Sequence, residues 1–167
     1  MPPYRLQTLL EIRERAEEAA KQAFSEASQA LAKEQKELKR LEEDLERRKV
    51  ERKAKVLAYL DEVMKKASGG PGGLTMMNRY EERLKDEEAQ VALEIDRQKE
   101  LVKVAEEKLE VCRQEMTTAA MELKAIEKHK DKWRIERKVA REQHEEAAGE
   151  EIGNALFLAR QRKAGDV

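Results

Sequence analysis

The chain has 167 residues, of which 35 are Lys or Arg and 36 Asp or Glu; 43% are charged and only 4% aromatic. That composition leaves too little large apolar surface for a globular core, and the near-zero net charge supplies no basic field to hold a polyanion, which disfavours nucleic acid as a partner. One cysteine and two histidines rule out a disulfide framework and the common zinc spacings, so no metal or cofactor is implied.

The first half carries an apolar stripe through Leu6, Leu10, Arg13, Ala16, Ala20, Ala23, Ala27, Ala30, Leu31, Leu38, Leu41 and Leu45, resuming at Val56, Tyr59, Leu60 and Val63. The spacing predicts a helix over about residues 4–67, extending about 95 Å at the α-helical rise. Arg48 and Arg52 interrupt the stripe with two successive four-residue steps, a stutter at which packing is expected to be loosest.

Ser68-Gly69-Gly70-Pro71-Gly72-Gly73 ends that helix. Four glycines at about 1 kcal/mol each and a proline at about 3 kcal/mol put a continuous helix about 7 kcal/mol behind an interrupted one. A Gly/Pro break this short between two long amphipathic segments reads as the turn of an antiparallel hairpin, over residues 68–73. The run lacks the GK[ST] ending and preceding strand of a phosphate-binding loop, and it lacks the strand-forming segments of a prefoldin-like hairpin.

The second half has the clearer repeat. Met77, Leu84, Val91, Ala105, Cys112, Ala119, Ile126, Trp133, Ala140 and Ala147 recur every seven positions, with Gln98 the polar interruption. A second series through Ile95, Val102, Leu109, Met116 and Leu123 completes a coiled-coil seam. The predicted helix covers about residues 75–148, followed by a tail over 149–167, and Cys112 falls on the seam as a small buried hydrophobe. The fold class is all-α, a long antiparallel two-helix coiled-coil hairpin in a single elongated domain. Each seam finds its partner in the same chain, so a monomer is expected in dilute solution. A reversal centred on Pro71 sets Leu6 opposite roughly residue 136 and Arg47, Arg48 and Lys49 near the acidic Glu87 to Glu94.

In that register the last stretch of the second helix projects beyond the first. Gly149 and Gly153 weaken it, and Ile152, Leu156, Phe157 and Leu158 lead into Arg160, Arg162 and Lys163, cations suited to a helix C-terminus. The apolar residues read either as a plug for a partner or as a short helical continuation with basic capping. Near the turn, Leu74, Met76, Met77 and Tyr80 approach Tyr59, Leu60, Val63 and Met64, more large apolar residues than one seam needs. A hairpin without a concave interior shifts no acid into catalytic range, so the chain is not expected to be an enzyme. Met1-Pro2-Pro3-Tyr4-Arg5 has no apolar signal core, and Ala155 to Ala159 is too short to span a bilayer. A soluble, cytoplasmic protein without direct membrane insertion is expected.

The opening Tyr4-Arg5-Leu6-Gln7-Thr8-Leu9-Leu10-Glu11-Ile12-Arg13-Glu14-Arg15, the lone tryptophan in Lys130-Asp131-Lys132-Trp133-Arg134, and the tail Leu156-Phe157-Leu158-Ala159-Arg160-Gln161-Arg162-Lys163 resemble the FliJ/YscO proteins of flagellar and type III secretion systems. The tail and the Trp133 region favour the virulence-type YscO branch. The resemblance implies a central stalk without enzymatic activity, working at the cytoplasmic face of the secretion apparatus. It implies three partners: a hexameric export ATPase, an export-gate protein and secretion chaperones. By position, the ATPase end comprises Arg5, Leu6, Leu10, Arg13, Leu156, Phe157, Arg160 and Arg162, and the gate end Tyr59, Val63, Met76, Met77 and Tyr80. A stand-alone coiled-coil scaffold or tether is the alternative reading.

Overall fold

The computed structural model describes residues 3–66 and 71–165. They form two helices, α1 (Gln7–Lys65, 59 residues) and α2 (Pro71–Gly165, 95 residues), which return on one another as an antiparallel hairpin; no strand occurs among the described residues. α1 is opened by a turn in which Gln7 N donates to the Tyr4 carbonyl at 3.1 Å.

Of the predicted turn, residues 68–70 lie outside the described residues, while Pro71, Gly72 and Gly73 already belong to α2. Proline is well placed there: its fixed φ suits the first helical position, and the N–H it lacks would have found no intrahelical acceptor. The Thr75 hydroxyl donates back to the Pro71 carbonyl at 2.9 Å. At its other end α2 does not stop near residue 148 but runs through Gly149 and Gly153 to Gly165. Two glycines cost about 1 kcal/mol each, and the surrounding alanine, glutamate and leucine are good helix formers. Arg162 and Lys163 sit in the last turn, where their charge opposes the helix dipole.

By its contacts the chain divides into two units. One comprises Ala20–Met116 and the other Met1–Ala19 with Thr117–Val167.

In the Ala20–Met116 unit the seam is built as the heptads require. Leu41, Val91 and Ile95 form a buried cluster, with Leu38 and Leu45 packed against it, and Ala27, Met77, Val102 and Cys112 are buried along the same line. No described side chain is buried completely, because one neighbouring helix covers a residue from one side only. Ala30 is exposed, and Leu31 beside it takes the half-buried seam place. The polar interruption is satisfied: Gln98 is buried, and its Nε2 donates to the Glu34 carbonyl at 3.0 Å and to Glu34 Oε2 at 2.5 Å. A lone polar pair in an apolar seam favours one register over its neighbours.

The stutter is closed by charge. Arg52 reaches Glu88 at 2.7 Å and Glu81 at 3.3 Å, and Arg48 lies 3.7 Å from Glu87. With Glu34 on Gln98 and Val63 near Gly73, these pairs place the partners between two and ten residues earlier in α2 than a reversal at Pro71 requires. The displacement accompanies a start of α2 at Pro71, inside the run read as turn. The displacement is on average close to a heptad, so the same stripe returns to the same face and the seam keeps its composition.

In the other unit, Tyr4, Leu10 and Leu123 are buried, and Leu6, Ile126 and Trp133 are half-buried. Arg13 pairs with Glu122 at 2.5 Å, and Lys130 donates to Gln7 Oε1 at 2.9 Å. The register is displaced here too, so Leu6 does not reach residue 136. Ala16 is exposed, and beyond Trp133 every described residue up to Ala164 is exposed except the half-buried Ala148. Ala140 and Ala147 keep the heptad spacing without cover because α1 has ended.

Candidate docking surfaces

All eight residues assigned to the ATPase end lie in the unit that contains both chain ends, but they fall into separate groups. Arg5, Leu6, Leu10 and Arg13 sit on the opening turns, beside the stretch of α2 that includes Glu122 and Trp133. Leu156, Phe157, Arg160 and Arg162 lie on the uncovered part of α2. From Trp133 to Leu156 the helical rise alone gives about 35 Å. Leu10 is buried, Leu6 half-buried and Arg13 held by Glu122; of the first group Arg5 is the exposed member. The second group is open, with Leu156 58%, Phe157 61% and Leu158 53% exposed.

Where α1 begins, an aromatic clasp ties its first turn to α2. The Tyr4 hydroxyl lies 2.7 Å from His129 Nδ1, and its ring is 5.3 Å from that of Trp133 at a tilt of 54°. The Arg137 guanidinium sits 5.7 Å from the Trp133 ring centroid on the far side of the clasp in sequence. Tyr4 and Trp133 both belong to the motifs quoted above, but their pairing depends on a register that the turn sequence misplaces. Ile135 and Val139, 64% and 45% exposed, also lie outside the expected site. Their off-heptad positions gave the available signal.

The residues assigned to the gate end lie in the Ala20–Met116 unit. Met77 is buried, and Tyr59, Val63 and Tyr80 are half-buried, so these four belong largely to the seam. Tyr80 also carries the Arg83 guanidinium 5.3 Å from its ring centroid. Met76 is exposed, and the accessible apolar residues around it are Leu57, Met64 and Leu74. Met64 is 82% exposed, which fits an adaptable thioether better than a packed one.

The Ala20–Met116 unit is rich in ion pairs. Hydrogen bonding from Lys85, with further attraction from Arg52, holds the Glu81 carboxyl below its ordinary pKa; Arg48 and then Arg47 do the same for Asp44. These carboxylates stay ionised; the Glu81–Arg52 pair joins the two helices, whereas Asp44 holds Arg47 and Arg48 of its own helix, and exposed pairs of that kind contribute little to stability. Among the described residues no cluster of three or more His, Cys, Asp or Glu is placed to hold a metal ion, and no helix is long and apolar enough to cross a membrane.

None of the curated proteins matches the chain. A solved structure described as that of a YscO homolog, CT670 from Chlamydia trachomatis, superposes with a TM-score of 0.80 at 23% identity, over 98% of this chain and 99% of that one. At that identity the likeness speaks for the fold, and the two-helix hairpin is shared. The family model of YscO-like proteins matches residues 1–163. With nearly the whole sequence so matched, the chain belongs to the YscO-like family and is a protein associated with type III secretion.

Proposed function

We propose that this protein is the central stalk of a type III secretion export ATPase, with the uncovered end of α2 docked in the ATPase hexamer and the turn end directed at the export gate. The observation that supports the reading is the uncovered stretch of α2, with Ile152, Leu156, Phe157 and Leu158 exposed and Arg160, Arg162 and Lys163 immediately after them. An apolar cluster of this kind on a helix without intramolecular cover marks a protein contact.

The chain itself performs no chemistry in this reading. A nearly symmetric hexamer whose subunits act in turn needs an asymmetric element on its axis. A helix presents unequal faces to the surrounding subunits, and unequal affinity for their nucleotide states biases the cycle. Around the turn, Leu57, Met64, Leu74 and Met76 are the residues available to a gate protein, and free secretion chaperones are further partners. The site of action is the cytoplasmic face of the apparatus.

The test is the steady-state rate of the purified export ATPase as this protein is added at low salt. A saturable rise in rate is expected. An unchanged rate with no co-sedimentation of the two proteins would remove the stalk reading and leave a coiled-coil tether.

A further inference from the structure

The seam of the Ala20–Met116 unit changes character at the stutter. On α2 the stripe runs Met77, Glu81, Leu84, Glu88 and Val91, so two carboxylates take the heptad places that Ile95, Val102 and Leu109 fill with aliphatic groups farther along. On α1 Arg52 reaches both of them, Glu88 at 2.7 Å and Glu81 at 3.3 Å, and the three side chains are withdrawn from most of the water, with Arg52 18%, Glu88 12% and Glu81 25% exposed. In such a layer the attraction between the charges is largely offset by the cost of desolvating them. It specifies a register but does little to keep the helices together.

Two further observations fall at the same place. No described residue is buried from 42 to 66 on α1 or from 78 to 90 on α2, whereas Leu41, Val91, Ile95, Gln98 and Val102 are buried beyond that stretch. A groove of about 270 Å³ lies over the ion pairs, lined among others by Arg48, Arg52, Leu84 and Glu88. That is room for several waters beside polar groups able to bind them, so the charged groups keep partners when the helices part.

We propose that this charged layer is a joint, at which residues 53–65 of α1 and 71–87 of α2 come apart as one unit while the apolar layers around Leu41, Val91 and Ile95 stay closed. Local opening is drawn from segments with few buried apolar contacts, and these are such segments. Opening uncovers Tyr59, Val63 and Met77, which the closed hairpin keeps partly or wholly in its seam. Once parted, each arm loses the packing that sustains a helix of its length, so its amides open to exchange. The proposal goes beyond the stalk reading and does not depend on it.

Hydrogen exchange of the full chain under native conditions, followed by mass spectrometry of overlapping peptides, tests it. Residues 56–65 and 77–84 are expected to exchange on the order of a hundredfold faster than 38–45 and 91–102, with the change falling as a step across Arg52 and Glu88. Val102→Ala should speed the slow residues about tenfold and leave the fast ones unchanged, because the joint opens without disturbing Val102. Arg52→Leu combined with Glu88→Leu, which continues the aliphatic seam through the layer, should slow the fast residues about tenfold. Circular dichroism checks that each variant keeps its helicity. Equal protection on both sides of the layer would overturn the proposal, as would a smooth decline toward the turn, which is ordinary fraying. So would an equal response of both sides to Val102→Ala, or a double variant that leaves the fast residues as they were. None of these readouts involves the ATPase, so failure here leaves the stalk reading standing, and failure of the stalk reading leaves the joint.

Discussion

Leu41→Asp is expected to lower the stability of the hairpin by roughly 3–5 kcal/mol, the largest effect of any single change in the seam. Leu41 is 8% exposed and touches the Val91 and Ile95 cluster, with Leu38 and Leu45 behind it. Its burial contributes about 2 kcal/mol of transfer free energy, and a carboxylate in its place adds the cost of a charge among aliphatic side chains. The control lies on the partner helix: Leu93, two residues from both Val91 and Ile95, is 59% exposed, and Leu93→Asp should change stability by no more than about 0.5 kcal/mol. Thermal melts followed by circular dichroism compare the two directly. Equal midpoints for both variants would mean that the stripe does not face α1.

The seam was legible because a seven-residue repeat leaves little choice of face. Val91, Ile95, Val102 and Cys112 lie buried where their spacing puts them. Gln98 was legible as an interruption, but its tie to Glu34 was not, because that contact needs the register. Register is where the sequence misled: Gly72 and Gly73 read as turn, yet Pro71 starts a helix and the partners across the seam are displaced accordingly. A heptad repeat is indifferent to a shift of about seven residues, so nothing in the stripe itself could correct the error. The Tyr4 clasp on His129 and Trp133 stayed hidden for the same reason. The uncovered end of α2 was legible from the helix lengths, and its continuity was one of two readings left open, since Gly149 and Gly153 weaken a helix without ending it while the cations suit its C-terminus. Leu10 and Met77, assigned to the two ends by position in the family, are buried, which the family position could not reveal.

The second large effect is expected at the uncovered end. Leu156→Asp combined with Phe157→Asp should weaken binding to the export ATPase by roughly a hundredfold or more, at about 2 kcal/mol for each anchoring side chain in a desolvated contact. Both residues are more than half exposed and touch no core, so the melting midpoint of the hairpin should stay where it is. That separation matters, because a seam variant such as Leu41→Asp would also lose binding, but only by unfolding. Titration calorimetry or sedimentation of ATPase mixed with the variant measures the affinity, and a melt of the same sample measures the fold. Binding that survives at full strength would move the contact to Arg5 and the opening turn. Loss of binding together with a lowered midpoint would show that these side chains support the fold.

The most direct measurement is photo-crosslinking in the native cell, with a photoreactive phenylalanine analogue placed at Phe157 on the uncovered end or at Val104, which is 60% exposed on the shaft. The stalk reading requires the ATPase to be captured from position 157 and not from position 104. Capture from the shaft, or no ATPase at either position while other secretion components are captured, would contradict it.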